Sequence, residues 1–197
     1  MNLPNRLTLL RILFVPLIVF FAIFPFSQYG ISFGSILIGF VKIPGVHLIQ
    51  LLIFVVASFT DFLDGYLARK NHLVSTFGKF MDPLADKLLV NTLFILFVMQ
   101  GLVPVLAVMI MIWRDILVDG LRMLAAEKGK VMAAGYLGKL KTVVQMITII
   151  LILVSNLPFE LYNLPVSTFM LWFSVVISVL SGIAYFRQMS HILLESI

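Results

Sequence analysis

The 197-residue chain contains no cysteine, and only 12% of its residues are charged. The first absence removes disulfide bonds and thiolate metal sites. The second, beside 61% hydrophobic residues and a mean hydropathy of +1.12, excludes an ordinary water-soluble domain. Histidine is scarce as well: His47, His72 and His191 are dispersed and share no ligand spacing. A metal bound by this chain must therefore be held by oxygen, which favours hard cations such as magnesium or manganese over zinc or copper. Internal repeats and low-complexity tracts are also absent.

What is abundant is apolar sequence in long runs. A spanning helix needs about 20 residues, and six stretches approach that length: Leu9–Phe26, Leu48–Ala68, Leu84–Gln100, Pro104–Met123, Leu140–Val154 and Val166–Tyr185. The first run has no clear small-residue cleavage site before Ser27 and is read as a retained helix. Asn5, Thr8 and Arg11 stand at spacings of three around its start, as expected of a short interfacial segment. Between the first two runs, Gly30, Gly34, Gly39, Pro44 and Gly45 surround Ile36–Val41, which is too short to span and reads as an outer loop. The expected fold is a single all-α integral membrane domain over residues 1–197, with six transmembrane helices and a short N-terminal interfacial segment.

Charge orients such a bundle. One side would carry Arg6, Arg11, Arg69, Lys70, Lys79, Lys87, Arg114, Arg122, Lys128, Lys130, Lys139, Lys141 and Arg187; the other would carry only Lys42. This split of the 14 basic residues follows the positive-inside rule. It places both termini at the cytoplasmic face of the cell membrane.

On that same face stand four aspartates, in the pattern Asp61-x-x-Asp64-Gly65-x-x-Ala68-Arg69, then eight residues, then Gly78-x-x-x-Asp82-x-x-x-Asp86. Residues three or four apart share a helix face, so each half of the pattern lines one face of one helix. Ionised groups at membrane depth cost about 2.5–3.5 kcal/mol each on insertion scales and mark function. Four carboxylates match two divalent cations, the arrangement that clamps both sides of a displacement at phosphorus. Gly65, Ala68 and Gly78 leave room on the same faces for a flat ring or a diphosphate. Pro83 removes a backbone donor, so a kink or a helix start is expected near Lys79–Asp82. A cation transporter would also place acidic residues in a membrane, but would not need glycines on the carboxylate faces or Arg69 directly beyond them.

The complete pattern resembles the signature of the CDP-alcohol phosphotransferase family, with all eight signature residues at the family's spacing. The resemblance implies that Asp61, Asp64 and Asp82 hold a two-metal site, with Asp86 as second-metal ligand and general base. It also implies that Gly65, Arg69 and Ser75 contact the CDP-linked lipid, with Ala68 and Gly78 beside them and Asn5 and Thr8 reaching the cytidine. A homodimer is implied by the family, and no nucleic-acid partner is expected.

A second group of charges bears on the acceptor alcohol. Arg114 and Arg122 are eight apart on one run, while Lys139 and Lys141 open the next. Guanidinium forks with ammonium groups suit a phosphate monoester dianion. Positive-inside decoration explains Lys128 and Lys130 but not Arg114, which directly follows the apolar Met109–Trp113. The stretches Arg114 to Arg122, Gly138 to Thr142 and Leu3 to Arg11 are similar to the phosphatidylglycerophosphate synthase branch of the family. Asp115 stands where that branch more usually carries Glu. The implied reaction joins CDP-diacylglycerol and glycerol 3-phosphate at the bilayer. The same chemistry with inositol phosphate, serine or phosphatidylglycerol is the alternative, and serine would need no cluster of four cations.

Overall fold

The computed structural model describes the backbone of residues 3–70, 76–127, 129 and 135–194, and the side chains of these except 3–5, 62–80 and 191–194. Six α-helices dominate: α1 (Leu3–Ile23), α2 (Gly45–Lys70), α3 (Thr76–Met99), α4 (Val105–Glu127), α5 (Tyr136–Leu153) and α6 (Val166–Leu194). Their order and approximate bounds match the six apolar runs. Three stretches, Arg6–Ile23, Tyr136–Leu153 and Val166–Ser190, are long and apolar enough throughout to cross a bilayer, and α2 carries a shorter apolar run over Gly45–Asp61.

Three expectations change. The N-terminal polar residues are not a separate interfacial segment but the first turns of one continuous helix from Leu3 to Ile23. Pro4 falls in its first turn, where a missing N–H is harmless, and no breaker separates Asn5 from Ile12. Of the kink or helix start expected near Lys79–Asp82, the start is ruled out, since α3 begins at Thr76 and Pro83 lies inside it. The outer loop contains a hairpin, β1 (Ser35–Ile38) paired antiparallel with β2 (Val41–Pro44). Gly39, at φ +63°, takes the first position of its two-residue turn, where glycine relieves the strain of a positive φ. Gly45 then starts α2 so close to Phe33 that a Cβ would stand 2.2 Å from the Phe33 carbonyl oxygen.

The helices form two groups. Helix α1 packs on α2 and α3, while α6 packs on α4 and α5; α3 meets α4 and α5 between the groups. A buried core joins them through Ile18, Phe54, Leu93, Phe94, Met111, Ile149 and Val175, one or more from each helix. Outward, the surface is apolar: Leu13, Phe59, Leu117 and Phe169 are each more than half exposed. Contiguous exposed apolar surface on every helix is that of a protein dissolved in lipid.

Candidate active site

The polar residues of α1 face inward. Thr8 and Arg11, three apart and both essentially inaccessible, present one face to α2 and α3. Arg11 donates from Nη1 to Asp61 Oδ1 of α2 at 2.6 Å and to Asp86 Oδ1 of α3 at 2.8 Å. Thr8 Oγ1 donates to Asp82 Oδ1 at 2.6 Å. A buried guanidinium is tolerated only where carboxylates pair with it, so α1 fixes three signature aspartates through the Arg11 pairs and the Thr8 bond. The side chains of Asp61 and Asp86 remain about one third exposed, at 33% and 30%. Arg11 thus lies behind carboxylates that keep an open side. Asn5, Asp64, Gly65, Ala68, Arg69, Ser75 and Gly78 lie outside the described side chains. Among the described residues, no three acidic or histidine side chains form a cluster that could hold one metal ion.

The second group of charges meets the first across a cavity of about 310 Å³. Asp82, Asp86 and Lys87 of α3 line one part of it; Arg114, Asp115 and Arg122 of α4 and Lys139 and Lys141 of α5 line another. All four cations expected to grip a phosphate therefore share one space with two of the expected metal ligands. Arg114 is not membrane-anchoring decoration, because its side chain is 10% exposed and turned into the bundle. It donates from Nη1 to Asp115 Oδ1 at 2.9 Å, and Lys141 Nζ donates to the same oxygen. One buried carboxylate thus serves two cations and leaves a positive excess. Arg122 Nη2 donates to Tyr185 Oη of α6 at 2.6 Å. Lys87, at the same cavity, pairs with Asp119 of α4.

The sequence reading missed several participants. Arg11 stood among topogenic charges, although its spacing from Thr8 already placed both on one helical face. Asn91, Thr142 and Gln145 also line the cavity and offer neutral hydrogen-bonding groups beside the charges. In α6, Ser174, Ser178, Ser181 and Tyr185 recur at spacings of four, three and four and are all buried. That stripe was readable within an otherwise apolar run.

Comparison with known proteins agrees with this geometry. The model of the CDP-alcohol phosphatidyltransferase family matches residues 1–180, nearly the whole chain. The chain belongs to that family. Divalent metal ions are general to the chemistry of the CDP-alcohol phosphatidyltransferases. The carboxylate oxygens of Asp61 and Asp86, each about one third exposed, are donors of the kind that suits such ions. Among similar family members, a protein of Bacillus subtilis (strain 168) is 44% identical over 187 residues, covering 95% of this chain and 94% of its own. One from Rickettsia typhi is 36% identical over 187 residues, covering 94% and 96%. Both are named CDP-diacylglycerol–glycerol-3-phosphate 3-phosphatidyltransferase.

Proposed function

We propose that this membrane enzyme transfers the phosphatidyl group of CDP-diacylglycerol to glycerol 3-phosphate, giving phosphatidylglycerophosphate and CMP. One observation carries the choice of acceptor: Arg114, Arg122, Lys139 and Lys141 line the same cavity as Asp82 and Asp86. An alcohol bearing a phosphate monoester can be gripped by the cations while its hydroxyl reaches the carboxylate side. The reaction named for the relatives from Bacillus subtilis and Rickettsia typhi supports the same reading.

In this reading, Asp86 accepts the proton of the attacking hydroxyl. The new bond forms between that oxygen and the phosphorus bearing the diacylglycerol, and the bond from this phosphorus to the CMP oxygen breaks. Two divalent cations, magnesium or manganese, held by Asp61, Asp64, Asp82 and Asp86 would neutralise charge developing on the diphosphate. Arg11 and Thr8 hold the aspartates in place from behind. Asn5, Gly65, Ala68, Arg69, Ser75 and Gly78 form the CDP-lipid contact, a role that rests on the family resemblance; Thr8, expected among them, is buried against Asp82. If all six helices cross the bilayer, the one-sided distribution of Lys and Arg supports a site facing the cytoplasm, where both water-soluble partners of the exchange reside. The family resemblance supports a homodimer.

The test is purified protein with CDP-diacylglycerol, magnesium and a panel of acceptors, measuring CMP release. Release with glycerol 3-phosphate, and little with serine, glycerol or phosphatidylglycerol, is expected. Preference for inositol phosphate would keep the chemistry and change the acceptor.

A further inference from the structure

We propose that the α6 segment from Ser181 to Tyr185 is the positioning element for the acceptor phosphate, setting where the Arg114 and Arg122 guanidinium groups stand. The inference rests on the phosphate-pocket reading given above. Among the described residues of α6 none lines the cavity itself, so what they contribute passes through the arginines.

Both arginines are held from α6. Arg114 Nη2 donates to Ser181 Oγ. Its stem runs past Gly182, where an added Cβ would stand only 3.1 Å from Arg114 Cγ. Its guanidinium carbon lies 5.6 Å from the centre of the Tyr185 ring. Arg122 lies over the same ring at 5.0 Å while donating to the Tyr185 hydroxyl at 2.6 Å. That hydroxyl also accepts the Gly135 N–H at 3.1 Å, immediately before α5 begins. One buried tyrosine therefore ties α4, the start of α5 and α6 together at the cavity.

The chemistry of this cradle matters as much as its contacts. Arg114 and Arg122 are eight residues apart, about 12 Å along a helix axis, yet their charged ends converge on one ring. Like charges brought together repel, and a carboxylate between them would relieve this only by cancelling their field. Asp115 already offsets part of the Arg114 charge, and the serine hydroxyl, phenol and aromatic face of α6 orient both guanidinium groups without neutralising them further. The Nε of each arginine is also buried and has no acceptor among the described residues. An oxyanion with several acceptor oxygens completes such a pair.

The test is Tyr185→Phe, which keeps the ring and removes the hydroxyl. Its KM for glycerol 3-phosphate is expected to rise roughly 3- to 30-fold, less than for direct loss of a hydrogen bond to a charged group, because the hydroxyl acts on the phosphate only through Arg122. Its kcat and its KM for CDP-diacylglycerol are expected to stay within about twofold of the parent. If Tyr185 acts through Arg122, the same change made in an Arg122→Ala background adds almost nothing, because the two effects are not independent. Gly182→Ala provides a second probe: by displacing the Arg114 stem it should raise the acceptor KM and spare the lipid KM. An unchanged acceptor KM for Tyr185→Phe, beside an impaired Arg122→Ala enzyme, would overturn the role of α6 and leave the phosphate pocket standing. So would equal multiplication of the two effects. An unchanged acceptor KM for Arg122→Ala would overturn both.

Discussion

Arg11 and Asp86, 75 residues apart in the chain, are joined by a hydrogen bond of 2.8 Å from Nη1 to Oδ1. The same nitrogen reaches Asp61 on the other side. A cation on the first helix therefore draws together the two helices that carry the signature. The arrangement holds the Asp61 and Asp86 carboxylates on one guanidinium nitrogen before any metal binds.

Removing that cation tests the idea. Truncating one partner of a buried ion pair costs about 3–5 kcal/mol, and the lower end applies because Asp61 and Asp86 are partly exposed. Arg11→Gln should lower the thermal unfolding midpoint in the presence of chelator. Added magnesium should narrow the gap from the parent, since bound cations replace the missing charge. A gap that magnesium leaves untouched would reduce Arg11 to a packing role.

Asp86→Asn isolates proton transfer. An amide cannot accept the hydroxyl proton, and a general base contributes about 10²–10⁴-fold. Turnover should fall by that order while binding of the CDP-lipid largely persists. Near-normal turnover would make Asp86 structural only.

Metal dependence follows from the donor set. Excess chelator should abolish CMP release, and magnesium or manganese should restore it. Asp61→Asn and Asp82→Asn should each lose at least roughly tenfold in activity, since each removes a charge from the site. Full activity in a rigorously metal-free preparation would sink the two-metal reading.

Much of this was legible in the chain. Apolar run lengths gave the six helices in order, and the four-residue spacing of Gly78, Asp82 and Asp86 put them on one face of α3. The cations of α4 and α5 were recognisable because Arg114 interrupts an apolar run with no topological need. What stayed hidden depended on contacts between distant segments. Nothing local says that Arg11 turns inward to Asp61 and Asp86 rather than outward to lipid headgroups. The stripe holding Ser181 and Tyr185 was visible in α6, but not its importance, which lies in the arginines they touch. The hairpin at Ser35–Pro44 was concealed by its brevity, although Gly39 between two β-branched runs was a turn signal.

Orientation can be checked without any chemistry. Single cysteines introduced at Lys128 and near the C-terminus of this cysteine-free protein should label only from the cytoplasm. A cysteine at Lys42 should label only from outside. External labelling at Lys128 would overturn both the orientation and the access of CDP-linked substrate to the cavity.

The central claim is that one cavity joins an acceptor phosphate to the signature carboxylates. Its most direct test is the ratio of kcat/KM for glycerol 3-phosphate to that for glycerol, measured in the parent enzyme and in Arg122→Ala. The parent should favour the phosphate strongly. Losing a hydrogen bond to an ionised group costs about 1.5–3 kcal/mol, or roughly 10- to 150-fold, so the ratio should shrink by that order in the variant while the KM for CDP-diacylglycerol stays nearly constant. A ratio that does not move would contradict the account, because a charge that serves only membrane topology has no means of distinguishing the two alcohols.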